Sequence, residues 1–128
     1  MNKEIKVLLV DDETDFTQPM AFWFKSKGYS VDISSSGAEA LKAITENPPD
    51  IAFLDMNMPE MDGLETLKRL RKINAELPVI IISAYVGDER VRQAGSYGVS
   101  GVFYKGSDLD EGLVLLETVL RMHKKLQK

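Results

Sequence analysis

Apolar residues along the chain follow two rhythms that take turns. Short continuous runs alternate with longer stretches in which apolar positions recur at helical spacing. Ile5–Val10 predicts a first buried strand, ending abruptly at Asp11-Asp12. Thr14 stands where a helix cap is wanted, and Phe16, Met20, Trp23, Phe24 and Lys27 then share one face at roughly 100° per residue. Pro19 falls just past the first turn counted from that cap, which predicts a kink or a delayed start; Gly28 ends the helix. Tyr29–Ser34 alternates like a half-exposed second strand. Ser36-Gly37-Ala38-Glu39 reads as a capping box before Ala40, Leu41 and Ile44, and Pro48-Pro49 stops that second helix.

Ile51–Leu54 predicts a third, fully buried strand that opens at Asp55. Met56 to Met61 carries a proline and reads as a loop. Asp62-Gly63-Leu64-Glu65 caps a third helix, with Leu64, Leu67, Leu70, Arg71 and Ile73 on its inner face. Pro78 leads into a fourth buried strand, Val79–Ile82, which ends at Ser83. Gly87-Asp88 opens a fourth helix running to about Tyr97, with only Val91, Ala94 and Tyr97 to bury, and Gly98 breaks it. Val102–Tyr104 predicts a short fifth strand ending at Lys105. Ser107 or Asp108 caps a last helix with Leu109, Leu113, Leu116 and Leu120 inside. Arg121, Lys124 and Lys125 complement its C-terminal dipole. Strands alternating with helices imply parallel βα units, and hence an α/β fold: a doubly wound (βα)5 three-layer sandwich, one domain over residues 1–128, with its crevice at the strands' C-terminal ends.

Composition narrows the chemistry. A net charge of -4 gives no electrostatic footprint for direct nucleic-acid binding. One histidine and no cysteine exclude thiolate or histidine-cluster metal sites and disulfides. No apolar stretch approaches membrane-spanning length, the N-terminus is not a signal peptide, and the absence of cysteine suits a cytoplasmic setting.

The strand exits carry the remaining signal. Asp11-Asp12 follow the first strand, Asp55 the third, Ser83 the fourth and Lys105 the fifth. A parallel sheet lines these exits along one edge, so three carboxylates, a hydroxyl and an ammonium gather there. Clustered carboxylates ask for a cation, and oxygen donors suit Mg²⁺. A carboxylate beside a bound divalent ion can attack phosphorus and form an acyl phosphate, a reaction that needs mainly positioning and charge neutralisation.

With Asp11-Asp12, Asp55-Met56-Asn57-Met58-Pro59, Met61-Asp62-Gly63, Ser83-Ala84 and Lys105 in this order, essentially the whole chain resembles the receiver domain of two-component response regulators. The resemblance implies a flavodoxin- or CheY-like sheet of order 2-1-3-4-5. It implies that Asp55 accepts a phosphoryl group from the phosphohistidine of a sensor histidine kinase or histidine phosphotransfer protein. Mg²⁺ is then bound by Asp12, Asp55 and the backbone carbonyl of Asn57, with Asp11 acting mostly through water. Ser83 and Lys105 hold the phosphoryl group, and the surface of the fourth helix, fifth strand and fifth helix switches for an output domain or downstream protein. Such a chain is a phosphoacceptor that assists its own phosphorylation and dephosphorylation, not an enzyme. Three departures stand out. Gly106 follows Lys105 where the family places proline, which is expected to loosen that loop. Val102 stands where the family places its switch aromatic, with Tyr104 on the same strand face as a substitute. Tyr85 is bulky beside the site and is expected to slow water attack on the acyl phosphate.

Singly, each residue has a plainer reading. Asp11-Asp12 is a turn pair, Ser83 a strand-end hydroxyl satisfying backbone, Lys105 a solvated lysine, Asp62 a helix cap and His123 a solvated helix end. Trp23 reads as core. Phe22 lies off the first helix's apolar face, either as scattered surface or as a docking point for a kinase or phosphotransfer helix. The rival function is a receiver-like module that docks partners without phosphorylation. A haloacid-dehalogenase-type phosphatase wants an acid two residues after Asp55, where Asn57 stands, and an acidic first loop disfavours a flavodoxin-like flavin site.

Overall fold

A computed structural model of the chain describes residues 4–125; the ends of the expected domain, residues 1–3 and 126–128, lie outside the described residues. The apolar runs become strands β1 (Lys6–Val10), β2 (Ser30–Ser34), β3 (Ile51–Asp55), β4 (Val79–Ser83) and β5 (Gly101–Tyr104). They pair in parallel in the order β2-β1-β3-β4-β5. The helical rhythms become α1 (Thr14–Ser26), α2 (Gly37–Glu46), α3 (Gly63–Ile73), α4 (Glu89–Ala94) and α5 (Leu109–Met122). β3 and β4 are buried along their whole length because helices cover both faces of the sheet's centre. Alternate side chains of each strand enter different cores. Val7, Leu9, Phe53 and Ile80 meet Met20 and Phe24 of α1 and Leu116 and Leu120 of α5. Leu8, Val10, Leu54 and Ile81 meet Ile44 of α2 and Leu67 and Leu70 of α3. These are the three expected layers. No described helix is long and apolar enough to cross a membrane.

Several local expectations change. Thr14 does not cap α1: Glu13 holds the cap position, without a side-chain bond, and Thr14 is the first helical residue. The chain turns one residue early because the Asp11 carboxylate accepts the Glu13 N–H at 3.0 Å. Pro19 sits inside α1 without delaying its start; it and Asp15, whose carbonyl it leaves unbonded, are exposed, so water can satisfy that carbonyl. Lys27 is not on the inner face but caps the helix, its ammonium 4.4 Å above the Trp23 ring. Ile73 is 46% exposed rather than inward. The fourth helix is short, and a 3-10 turn over Gly95–Tyr97 completes it before Gly98, at φ +84°, ends it. Arg71 spends its guanidinium on this turn, donating to the carbonyls of Tyr97 at 2.6 Å and Gly98 at 2.8 Å. Of the two candidates, Asp108 caps α5, and its N–H donates to Glu111 at 3.2 Å.

Candidate functional site

The sheet's pairing continues past the strand ends, which fixes the backbone beneath the site. Asp11 N–H donates to Ser34 O at 3.0 Å, Met56 N–H to Ile82 O at 3.1 Å and Lys105 N–H to Ser83 O at 2.9 Å. The start of α3 closes under the same edge, where Gly63 N–H donates to Met56 O at 3.1 Å. A Cβ at Gly63 would lie 2.2 Å from the Asp55 carbonyl oxygen, so only glycine allows this approach.

The expected acids converge. Asp11 and Asp55 are buried and Asp12 is exposed, and each offers an oxygen such that the three lie within 4.8 Å of one another. Lys105 Nζ joins them, 3.0 Å from Asp11 Oδ2 and 3.6 Å from Asp55 Oδ2. It also pairs with Glu13 and sits 5.0 Å above the Phe16 ring. The Asn57 side chain is exposed, while its N–H donates to Asp55 Oδ1 at 3.3 Å. Ser83 is buried at the end of β4, but its hydroxyl donates to the Tyr85 carbonyl at 2.8 Å rather than to any of the acids. Val102 is half-buried against the α2–α3 core, and the half-buried Tyr104 pairs in register with Ser83.

Burial, and then the charge of Asp11, push the Asp55 carboxyl up to about 7, against the opposing pull of the Asn57 N–H and Lys105. Burial by itself would depress the Lys105 ammonium; its hydrogen bonds to Glu13 and Asp11 and the charge of Asp55 outweigh that and hold it above the ordinary lysine value. Apart from their ion pairs with Lys105, Asp11 Oδ2 and Asp55 Oδ2 are enclosed without a hydrogen-bond partner. Two such buried acceptors beside a third carboxylate fit a hard divalent cation with oxygen ligands, which would satisfy them and lower the Asp55 pKa.

Two participants were not assigned from the sequence. Glu13 extends the Asp11-Asp12 acidic run, and that run is its only signal. Arg90 donates to the Met56 carbonyl at 2.9 Å, and nothing in its spacing points across the intervening stretch of chain.

The model of the response regulator receiver domain matches residues 7–117. Sporulation initiation phosphotransferase F of Bacillus subtilis is 35% identical over 106 residues, covering 83% of this chain and 86% of that protein. The regulatory protein AtoC of Escherichia coli is 31% identical over 117 residues; the match takes in 91% of this chain but only 25% of AtoC. A CheY-like response regulator receiver domain protein from Methanospirillum hungatei superposes with a TM-score of 0.91 over 96% of this chain and 98% of its own, at 23% identity, a likeness of fold.

Proposed function

The chain belongs to the response regulator receiver domain family of two-component systems, and from that premise we propose that Asp55 is its phosphoacceptor. The donor is the phosphohistidine of a sensor histidine kinase or histidine phosphotransfer protein. A carboxylate oxygen of Asp55 attacks phosphorus, the P–N bond breaks, and the imidazole departs with that bond's electron pair. The product is an aspartyl phosphate. The observation that carries this reading is the buried Asp55 Oδ2, ion-paired with Lys105 but without a hydrogen bond, beside two further carboxylates.

Asp11, Asp12, Asp55 and the Asn57 backbone carbonyl are the residues that would hold Mg²⁺. When bound, the ion supplies charge neutralisation for the phosphoryl oxygens and keeps Asp55 ionised. Lys105 offers a second positive charge once it exchanges Glu13 for the phosphoryl group. Ser83 can give its proton to a phosphoryl oxygen only by releasing Tyr85 O, so phosphorylation pulls on the loop between β4 and α4. That pull biases the α4-β5-α5 surface, which an output domain or downstream protein reads. Phe22, 75% exposed on α1, is a contact for the kinase or phosphotransfer helix. The setting is the cytoplasm, and residues 1–128 act as one domain without contacting nucleic acid or membrane directly. Phosphorylation and dephosphorylation are assisted by the receiver's own residues, with the exposed Tyr85 slowing water attack.

Incubation with Mg²⁺ and a small acyl phosphate should add one phosphoryl group by intact mass, and Asp55→Asn should abolish the adduct. A chain that stays unmodified, with either donor class, would instead be a docking module that works without phosphorylation.

A further inference from the structure

We propose that Arg90 is a positioning residue for the cation loop, tying the peptide between Asp55 and Asn57 to the start of α4. The inference rests on the site reading above. The Met56–Asn57 peptide is held from both sides. Its carbonyl, Met56 O, accepts from Arg90 Nη1 at 2.9 Å and from Gly63 N–H at 3.1 Å. Its N–H, that of Asn57, donates to Asp55 Oδ1 at 3.3 Å. The orientation of this one peptide plane therefore sets both the Asp55 carboxylate and the direction in which the chain presents the Asn57 carbonyl. A charged donor on Met56 O also polarises the peptide, making Asn57 N–H a better donor to Asp55.

Arg90 is itself fixed from the α4 side. Its Nη2 lies 2.9 Å from Asp88 Oδ2 and its Nε 3.2 Å from Asp88 Oδ1, a two-point grip on a buried carboxylate. The same Asp88 accepts the Arg90 backbone N–H at 2.9 Å and so caps α4. Asp62, the α3 cap, stands 3.6 Å from Nη1. Only a planar fork can grip Asp88 and still reach Met56 O; an ammonium cannot do both. α4 has little else to hold it, since Ala94 is its one buried residue. A cation that orders the Asp55–Asn57 loop must therefore favour one placement of Arg90 and the start of α4, and by reciprocity that placement favours the cation.

Arg71 supplies a control, because it ties the far end of the same helical segment to α3 through Tyr97 O and Gly98 O, away from the site. The experiment is an NMR-monitored Mg²⁺ titration of the wild type, Arg90→Met and Arg71→Met, with amide exchange measured without Mg²⁺. Arg90→Met should weaken Mg²⁺ about tenfold, the scale of lost outer-shell support, and should speed exchange at Asn57 and Gly63. Arg71→Met should leave Mg²⁺ affinity within about twofold of wild type, even at comparable loss of stability. Equal Mg²⁺ affinity in wild type and Arg90→Met, or equal weakening in Arg71→Met, overturns the inference. If Arg90→Met does not fold, Arg90→Lys takes its place and the same comparison decides. Should the wild type bind no Mg²⁺, the site reading falls, and the metal-free exchange at Asn57 and Gly63 still decides for or against Arg90.

Discussion

At the scale of the residue, Asp55 is an aspartate placed where its charge is unwelcome. Its carboxyl is pushed up from 3.8 to about 7 by burial and by Asp11. Without a cation the folded protein holds this proton more tightly than the unfolded chain does. The resulting stability is fully present below about pH 4 and is lost as pH rises through about 7. Metal-free Asp55→Asn should therefore melt above wild type by several degrees near pH 8, with the gap narrowing steadily as pH falls from about 7 toward about 4. Thermal melts across that range check this, and a gap independent of pH would contradict it. Asp11, Asp12, Asp55 and Lys105 could be placed from the sequence because each stands at or just past the end of a strand, and strand exits are fixed by topology. The turn of the Ser83 hydroxyl toward Tyr85 could not, since a rotamer answers to its nearest acceptor and not to sequence order. Nor could the Glu13–Lys105 pair, which joins flexible side chains at opposite ends of the chain.

At the scale of the element, periodicity recovered all five strands and the cores of all five helices, while the ends answered to chemistry that periodicity does not contain. The first helix begins early because Asp11 turns the chain, and the fourth gives way to a 3-10 turn clasped by Arg71. The start of α3 is the tightest of these ends. Gly63→Ala would bring a methyl group against Asp55 O and the Met56 side chain, at 2.2 and 2.6 Å before relaxation. Overpacking of this kind costs about 1–3 kcal/mol, so the urea midpoint should fall measurably. An unchanged midpoint would mean that the β3–α3 loop moves aside freely, which the Met56 O hydrogen bonds argue against.

At the scale of the whole molecule, the parallel sheet does two jobs: it separates two apolar cores and it collects distant acids on one edge. Ligand binding at that edge should therefore stabilise everything beneath it. Mg²⁺ at about ten times its dissociation constant should add about 1.4 kcal/mol, a rise of a few degrees in Tm. Asp12→Asn should lose most of that rise while leaving the metal-free Tm near wild type, because Asp12 is exposed and supports no core; a full Mg²⁺ response in this variant would move the ion away from Asp12. The sheet edge also carries a constraint on redesign. Ser107 N–H donates to Tyr104 O at 3.1 Å across the Lys105 turn, and Gly106 stands there at φ +96°. A proline ring cannot leave φ near -65°. Consensus engineering that installs the customary proline one position at a time would break this turn and misplace the ammonium it carries. The bend from Tyr104 to Ser107 is one geometric unit, so any chimera with a relative has to exchange it whole.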